Sequence, residues 1–277
     1  MHDVTANGAT IPALGFGTFR MSGSDTLRMV PHALKLGFRH IDTAQIYGNE
    51  AEVGQGIASS GVPRGDVFLT TKVWVDNYAR SAFLTSVDES LKKLKTDYVD
   101  LLLLHWPNDA VALAEQVASL NEVKKAGKVR HIGVSNFNTA LMAEAVRLSE
   151  APLVTNQIEI HPYIDQSVVI DAARKAGLSV TGYYGMADGK VFSDVLLKDI
   201  ASRHGKSVAQ VVLRWLVQQD GVIALSKTVG EERAAENLAI FDFALSAEEM
   251  AAISALARPD GRIVSPPGLA PEWDKAA

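Results

Sequence analysis

Short apolar runs alternate with longer amphipathic segments along the whole chain. Eight runs rich in β-branched, aromatic and leucine residues predict strands; they span 14–18, 39–43, 67–73, 99–105, 130–135, 153–158, 179–184 and 222–227. The segments between them, such as RSAFLTSVDESLKKLK, place apolar residues at i, i+3, i+4 and i+7, which predicts helices. This α/β alternation favours a closed (β/α)8 TIM barrel over a doubly wound open sheet.

Turn residues mark the ends of several predicted elements. Three glycines follow amphipathic segments where helix C-caps are expected, namely Gly37, Gly127 and Gly177. Pro31 lies inside the first helical pattern, where proline disfavours a helix. Asn7-Gly8 within DVTANGATIPAL predicts a β-hairpin, which we expect to close the N-terminal end of the barrel.

Composition narrows the class of protein. The 277 residues suit a single barrel domain over 1–277, with 47% hydrophobic and 21% charged residues. A net charge of −5 gives no basic footprint for nucleic acid, and the absence of cysteine excludes disulfides and a cysteine nucleophile. No apolar stretch approaches the ~18 residues of a membrane span, and the N-terminus lacks a signal-peptide pattern. We therefore expect a cytoplasmic protein, a monomer, with a small-molecule substrate and no nucleic-acid or membrane partner.

Polar residues recur at the C-terminal ends of the predicted strands, where barrel enzymes keep their chemistry. They are Asp42, Lys72, His105, Ser135, Asn136, Asn156, Gln157, Tyr183, Tyr184, Ser226 and Lys227. Any one of them could be a solvated rim residue, but together they predict a functional mouth. The dinucleotide fingerprint of the open sheet is missing, since GQGIAS at 54–59 lacks its third glycine and lies in a helical pattern.

Lys72 places an ammonium in the otherwise apolar strand FLTTKVW. An unpaired buried charge is costly, so we expect Asp42, at the end of the neighbouring strand, to pair with it. The pair alone could be a structural salt bridge, and Asp42 and Tyr47 alone could be a helix cap and a core residue. A cation beside Tyr47 would instead lower the pKa of the phenol and make it a usable proton donor near neutral pH.

His105 is the one histidine of seven that ends a predicted strand. A lone histidine is usually a satisfied core residue, but here it would share the mouth with an acid, a lysine and a tyrosine. As a neutral imidazole it could donate a hydrogen bond to a substrate carbonyl oxygen. No HxxxH motif or His/Asp/Glu cluster indicates a metal site.

These residues lie in motifs that resemble the aldo-keto reductase family. Asp42, Tyr47, Lys72 and His105 match its tetrad within GFRHIDTAQIYGNE, TTKVW and LLLLHWP. The similarity continues through GKVRHIGVSNF, TNQIEIHPY and ERAAENL, and the tail GRIVSPPGLAPEWD looks like the bacterial methylglyoxal reductase and 2,5-diketo-D-gluconate reductase B branch. The resemblance implies NADPH-dependent reduction of aldehydes and ketones, without metal or flavin. Hydride would pass from nicotinamide C4 to the carbonyl carbon while Tyr47, tuned by Lys72, protonates the oxygen that His105 orients.

The resemblance also implies a set of residues that bind NADPH. The nicotinamide end would be held by Thr18, Ser135, Asn136, Gln157 and the stacking Tyr183. The pyrophosphate path would be lined by Tyr184, Met186 and Asp188. The adenosine end would lie on SKTVGEERAAEN, with Ser226, a 2′-phosphate clamp of Lys227, Thr228 and Arg233, and Glu236 and Asn237 near the adenine. For Arg233 the alternative is a solvated charge on an ordinary helix.

Three departures from the family pattern bear on affinity and substrate range. Ser226 stands where many relatives have proline, Tyr184-Gly185-Met186 replaces a common Ser/Gly-Pro/Ala-Leu sequence, and the loop after His105 is short.

The substrate pocket is expected to be walled by Phe19, Trp74 and Trp106. The short loop offers few polar groups, and the Pro-rich, polar segment after Ala257 is brief. We therefore expect a shallow, broad pocket for methylglyoxal, 2,5-diketo-D-gluconate and aromatic aldehydes. The alternatives are a reductase of bulkier xenobiotic or keto-sugar ketones, and a non-catalytic NADPH-binding regulatory barrel, against which the intact tetrad argues.

Overall fold

Eight parallel strands close into a barrel in the computed structural model, which describes residues 2–275. The barrel strands are β3 (Leu14–Gly17), β4 (His40–Asp42), β5 (Phe68–Val73), β6 (Val99–Leu104), β7 (Val129–Ser135), β8 (Leu153–Glu159), β9 (Ser179–Tyr183) and β10 (Val222–Ser226). They pair in chain order, and β10 pairs with both β9 and β3 to close the ring. The predicted (β/α)8 barrel is confirmed, and each predicted strand lies within two residues of an observed one.

Helices surround the barrel, and several of them pack directly against its strands while others pack on neighbouring helices. Within residues 2–275 they are α1 (Gly23–Leu36), α2 (Glu50–Ser59), α3 (Arg80–Leu94), α4 (Leu113–Lys125), α5 (Thr139–Leu148), α6 (Ser167–Lys175), α7 (Val195–His204), α8 (Val208–Gln218), α9 (Glu231–Leu238) and α10 (Ala247–Ser254). α1 continues through Pro31 although proline removes one hydrogen bond, because its buried face, including Met29 and Leu34, packs on the core. No helix in this part of the chain is long and apolar enough to cross a membrane.

The N-terminal hairpin packs on the amino end of the barrel, as predicted. It consists of β1 (Asp3–Ala6) and β2 (Ala9–Pro12), paired antiparallel. Its turn is left-handed at both central residues, with φ of 44° at Asn7 and 85° at Gly8. The Asn7 side chain donates to the carbonyl oxygen of Leu153, at the start of β8, at 2.7 Å.

Two glycines of GQGIAS are packing residues. A Cβ atom at Gly54 would lie 2.6 Å from the Leu94 carbonyl carbon, and one at Gly56 would lie 2.9 Å from Val30 Cβ. Both positions therefore allow α2 to approach α3 and α1 closely. These two contacts hold α2, the helix that begins just after Tyr47, against α1 and α3.

Candidate active site

The carboxyl face of the barrel holds a buried ion pair. Asp42 ends β4, and Lys72 lies on the neighbouring β5. Lys72 Nζ donates to Asp42 Oδ1 at 2.6 Å and to the Thr43 carbonyl oxygen at 2.8 Å. Burial lowers the pKa of Lys72, and the charge and hydrogen bond of Asp42 oppose that shift. The predicted pairing of these two residues is confirmed.

Tyr47 lies beside this pair, but its ionisation differs from the prediction. A 3₁₀ turn over Gln45–Tyr47 carries the ring, whose centroid is 5.1 Å from Lys72 Nζ. Burial raises the pKa of Tyr47 well above its ordinary value, and the negative charge of Asp42 raises it further. The predicted net lowering of the pKa of Tyr47 is therefore wrong, because burial outweighs the opposing influence of the nearby Lys72 ammonium. Asp42 neutralises the ammonium at close range, so burial dominates and the phenol stays protonated at neutral pH.

His105 follows β6 and faces two aromatic rings. Its ring centroid is 5.7 Å from that of Tyr47 and 5.3 Å from that of Trp74, both in edge contact. Burial, followed by the charge of Lys72, holds the pKa of His105 well below its ordinary value, so the imidazole is neutral. Its Nδ1 is buried and has no hydrogen-bond partner within residues 2–275. A neutral ring can donate to a carbonyl oxygen, as the predicted role requires.

Asn136 and Tyr183 join the end of β9 to His105. The Tyr183 hydroxyl donates to Asn136 Oδ1 at 2.6 Å, and Asn136 Nδ2 donates to the His105 carbonyl oxygen at 3.0 Å. Asn136 has a left-handed φ of 63°, an uncommon conformation that places its side chain between the two strands. The two residues thus lie at the mouth, next to the predicted catalytic residues.

Ser135 and Gln157 continue this polar cluster to the ion pair. Ser135 Oγ donates to the Gln157 carbonyl oxygen at 2.8 Å, and Gln157 Nε2 donates to Asp42 Oδ2 at 2.8 Å. Hydroxyl and amide groups supply both donors and acceptors, which is the chemistry that a carboxamide needs. The residues predicted for the nicotinamide end are therefore brought together.

Thr18 is fully buried and ties β3 to β4. Its backbone N and Oγ1 donate to the Asp42 carbonyl oxygen at 3.0 and 3.1 Å. Asn49, which sequence reasoning did not select, donates to the Thr18 carbonyl oxygen at 3.0 Å and accepts from Thr43 Oγ1 at 3.0 Å. Asn49 is part of the motif YGNE, but its position in the sequence gives no sign of these hydrogen bonds to Thr18 and Thr43.

A bridge of three side chains connects the loops after β9 and β3. The Tyr184 hydroxyl donates to Asp188 Oδ1 at 2.7 Å, and Arg20 Nη1 donates to the Tyr184 hydroxyl at 3.4 Å. Tyr184 and Asp188 have left-handed φ values of 64° and 54°. Met186, between them, packs partly buried on the core. The three residues predicted for the pyrophosphate path share this loop, and Arg20 is an addition to them.

Two of the residues predicted for the adenosine end are buried against each other. Asn237 Nδ2 donates to Ser226 Oγ at 2.9 Å, and both side chains are buried. A proline at position 226, which the family resemblance led us to expect, would offer no side-chain acceptor for this bond. Thr228 is also buried, and its Oγ1 accepts from Gly230 N just before α9.

The other residues predicted for this end are exposed around the start of α9. They are Lys227, Arg233 and Glu236. Across residues 2–275, neither Lys227 nor Arg233 belongs to an ion pair. Two unpaired cations beside a helix N-terminus suit a phosphate group.

Aromatic side chains surround His105. Phe19 is 42% exposed, and its ring centroid is 5.0 Å from that of Tyr47. Trp106 is buried. Its backbone N donates to the Tyr78 hydroxyl at 3.2 Å, and its carbonyl oxygen accepts from that hydroxyl at 2.8 Å. With Trp74, the three predicted wall residues therefore lie near the catalytic residues.

The C-terminal tail adds a wall that sequence reasoning missed. The ring centroid of Trp273 is 6.3 Å from that of Trp106. The neighbouring Asp274 accepts from Thr139 N at 2.8 Å and from Thr139 Oγ1 at 2.6 Å, at the start of α5. The buried carboxylate of Glu159, at the end of β8, accepts from the backbone N of Ile263 and Val264 at 2.8 and 3.0 Å. The tail is thus bound across the mouth.

Within the part of the chain that the structure describes, no group of three or more His, Cys, Asp or Glu could hold a metal. The cluster of Tyr47, Lys72, His105 and Asp42 lies at the carboxyl face of a (β/α)8 barrel, the face where barrel enzymes keep their catalytic groups.

Residues 13–258 match the sequence pattern of the aldo/keto reductase family, and the chain belongs to that family. It is 46% identical to methylglyoxal reductase DkgB of Salmonella typhimurium over 268 residues, which cover 96% of this chain and 100% of the relative.

Solved structures show the same similarity. A crystal structure provisionally named 2,5-diketo-D-gluconic acid reductase B superposes with a TM-score of 0.98 at 69% identity, covering 99% of this chain and 98% of the other. A Bombyx mori aldo-keto reductase in complex with NADP gives a TM-score of 0.87 at 35% identity, covering 92% of each chain. The predicted family and the predicted class, an NADP-dependent oxidoreductase that reduces carbonyl groups, are confirmed.

Proposed function

We propose that this protein reduces aldehydes and ketones to alcohols with NADPH, and that small activated carbonyl compounds such as methylglyoxal are among its substrates. The observation that carries the proposal is the convergence of four side chains at one mouth. The buried Lys72–Asp42 pair lies beside Tyr47, and Tyr47 is in edge contact with His105. No purely structural salt bridge requires a phenol and a neutral imidazole at the same place.

Each of these residues has a distinct part in the proposed reaction. Tyr47, protonated at neutral pH, donates its proton to the substrate oxygen. Its tyrosinate is then stabilised by the Lys72 ammonium, which is 5.1 Å from the ring centroid. His105 donates a hydrogen bond that orients the carbonyl. Asp42 keeps the buried lysine charged, and the bond from Gln157 fixes the position of Asp42.

The remaining predicted residues suit NADPH, which supplies the hydride for the carbonyl carbon when bound. We propose that Ser135, Asn136 and Gln157 hold the nicotinamide carboxamide, while Thr18 and Tyr183 contact the ring. Lys227 and Arg233 would bind the 2′-phosphate, since both are exposed cations without partners in residues 2–275. The pyrophosphate would lie along the loop that carries Tyr184, Met186 and Asp188.

Aromatic walls favour small or flat substrates over bulky ketones. Trp74 contacts His105, and Trp273 adds to the wall formed by Trp106. The pocket is therefore more enclosed than a short loop after His105 alone implies. The methylglyoxal reductase of Salmonella typhimurium is a relative whose name agrees with a small dicarbonyl substrate.

A Tyr47→Phe substitution tests the proposal. It removes the proton donor and little volume, so we expect kcat for methylglyoxal to fall about 10²–10⁴-fold. NADPH binding, followed by the change in nicotinamide fluorescence, should remain. Tyr98→Phe is the matched control, because Tyr98 lies at the opposite end of the barrel between Arg64 and Arg130.

Two outcomes would contradict the proposal. Activity of Tyr47→Phe within a few-fold of the parent would remove Tyr47 from the reaction, and a parent that binds NADPH without reducing any carbonyl would indicate a regulatory barrel.

The single domain over 1–277, the monomeric state, the cytoplasmic location and the absence of a metal requirement remain predictions.

A further inference from the structure

Gln45 joins three segments of the chain through its side-chain amide. Its Nε2 donates to the Ser86 carbonyl oxygen at 3.3 Å and to Ser90 Oγ at 3.2 Å, both on α3. Its Oε1 accepts from Trp74 N at 2.9 Å and from Asn77 Nδ2 at 3.0 Å, just after β5. A backbone N–H can only donate, so the atom facing Trp74 is the amide oxygen. Both donors and both acceptor sites of the amide are therefore used.

The same residue begins the 3₁₀ turn that carries the proposed proton donor. The turn Gln45–Tyr47 is three residues long, and its middle residue, Ile46, is 51% exposed. Its backbone bonds run from Tyr47 N to the Ala44 carbonyl oxygen at 3.1 Å and from Gly48 N to the Gln45 carbonyl oxygen at 3.2 Å. So short a 3₁₀ segment has little stability of its own. The position of Tyr47 therefore depends on what holds the turn, and the Gln45 side chain ties it to α3.

Gln45 also fixes the strand end on the other side of His105. Trp74, whose backbone N bonds the Gln45 amide, is in edge contact with His105 at 5.3 Å between ring centroids. Tyr47 is in edge contact with the same imidazole at 5.7 Å. One side chain thus holds the backbone of both aromatic neighbours of His105.

The bonds of Gln45 on α3 lead to a buried carboxylate. Ser90 Oγ, which accepts from Gln45, donates to Glu50 Oε2 at 3.3 Å. Glu50 Oε1 accepts from Thr71 Oγ1 at 2.7 Å, and Thr71 precedes Lys72 on β5. Ser90 and Glu50 are each 2% exposed, so this end of the network is fixed in the protein interior. The network leaves β5 at Thr71 and returns to its end at Trp74.

We propose that Gln45 is a positioning residue for the reduction, which acts through Tyr47 by holding the phenol where it can transfer its proton to the substrate oxygen. This inference rests on the proposed reductase function and adds a residue to it. Proton transfer needs a donor within hydrogen-bonding distance of the acceptor. Displacement of a reacting group by about 1 Å can reduce a rate about 10²-fold. A turn released from α3 would therefore slow proton transfer before it affects binding of the cofactor.

A Gln45→Met substitution tests the inference, because methionine is similar in length and makes none of the four bonds. We expect kcat for methylglyoxal to fall about 10- to 100-fold. KM and the Kd for NADPH, measured by nicotinamide fluorescence, should stay within about threefold. The solvent deuterium isotope effect on kcat should increase, since transfer of the Tyr47 proton becomes slower relative to the other steps. A kcat within about twofold of the parent would overturn the inference.

A double variant shows whether Gln45 acts through Tyr47. In the Tyr47→Phe background there is no phenol to position, so adding Gln45→Met should change the remaining kcat by less than about twofold. If the second substitution reduced kcat by the same factor as in the parent, Gln45 would act by another route, and the inference would be overturned.

Gln218→Met is the matched control for a purely structural amide. Gln218 ends α8, donates to the Leu245 carbonyl oxygen at 2.8 Å and accepts from Leu245 N at 3.0 Å. Its loss should lower the melting temperature and leave kcat and the solvent isotope effect unchanged at 25 °C. A fall of kcat in Gln218→Met equal to that in Gln45→Met would show that lowered stability alone explains both, against the inference.

Asn77→Ala gives a milder test that does not depend on how well Gln45→Met folds. It removes one of the two donors to Gln45 Oε1 and leaves Trp74 N in place. We expect kcat to fall about two- to fivefold, with an increased solvent isotope effect. An unchanged kcat and isotope effect in this variant would contradict the inference.

Failure of the inference can be told apart from failure of the proposed function. A parent enzyme that reduces methylglyoxal, together with a Gln45→Met variant of parental kcat, would remove the role of Gln45 and leave the reductase function standing. A parent that reduces no carbonyl compound would contradict the proposed function itself.

Discussion

The two ends of the barrel contain similar charged and aromatic residues, but they differ in how fully those residues satisfy one another. At the amino end, Asp100 accepts from Arg64 at 2.9 Å, from Arg130 at 3.0 Å and from Leu69 N at 3.0 Å. Both arginines lie over the Tyr98 ring, at 4.4 and 4.0 Å. Arg64 also donates to Thr96 and to the backbone of residues 67 and 98.

At the carboxyl end, comparable groups keep unused capacity. Lys72 is fully buried with one carboxylate partner. Among the residues that the structure describes, His105 Nδ1 and Arg262 Nη1 have no hydrogen-bond partner. The difference teaches that charge and aromatic content do not separate a structural cluster from a functional one. A polar atom without a partner does not separate them by itself either, since within residues 2–275 the buried His40 Nδ1 at the amino end also lacks one. What separates them is that such atoms gather around a buried ion pair and a phenol at the carboxyl end.

Of the substitutions at the two ends of the barrel, loss of Lys72 should have the largest effect on both activity and stability. We expect Lys72→Met to reduce kcat about 10²–10⁴-fold, since the tyrosinate loses its cation, and to lower the free energy of unfolding by about 3–5 kcal/mol, because Asp42 is left as an unpaired buried charge. Kinetics and chemical denaturation measure the two effects separately. In the double variant Asp42→Asn, Lys72→Met, stability should partly return while activity does not. An unchanged melting temperature in the single variant would refute the buried-pair argument.

The corresponding change at the amino end should affect stability alone. Asp100→Asn removes the charge that pairs with Arg64 and Arg130, so the free energy of unfolding should fall by about 1.5–3 kcal/mol. The kcat/KM for methylglyoxal at 25 °C should stay within about twofold, since the cluster is at the far end of the barrel. A selective loss of activity without loss of stability would show that the two ends are coupled.

Loss of one cation at the predicted 2′-phosphate site should have the smallest effect of these substitutions, a change in the preference for NADPH over NADH. We expect the parent to favour NADPH over NADH, and Arg233→Ala to reduce that preference about tenfold or more, because one charged hydrogen bond contributes about 1.5–3 kcal/mol. The ratio of kcat/KM for the two cofactors is the measurement. Arg203→Ala, on α7 and paired with Asp199, is the control. Should the parent use both cofactors equally, Lys227 and Arg233 would be ordinary solvated charges.

Local pattern sufficed for the barrel and for the positions of the four catalytic candidates. Strand period and strand ends are local properties, so Asp42, Lys72 and His105 could be placed at one mouth from the sequence. The pairing of Lys72 with Asp42 followed from the cost of a buried charge. The direction of the Tyr47 pKa shift did not follow, because it depends on how burial balances against a neutralised ion pair.

Contacts between distant segments left no local signal. Glu159 bonds the backbone of Ile263 and Val264, and Trp273 packs on Trp106, across more than a hundred residues of chain. A Pro-rich polar tail therefore looked like a minor addition to the pocket. The bond between Asn237 and Ser226 is similar, since the serine is an odd departure in the sequence and becomes explicable only beside its partner.

Closure of the barrel also has a consequence for how the protein is made. β3 finds its second neighbour only in β10, with Leu14 opposite Ala224 and Phe16 opposite Ser226. A nascent chain on the ribosome carries every catalytic candidate by His105, yet its sheet still has two open edges until residues 222–226 emerge. Open edges of apolar parallel strands readily pair with other chains. We therefore expect the growing polypeptide to need shielding of these edges, by the ribosome surface or a chaperone, until β10 (Val222–Ser226) has emerged.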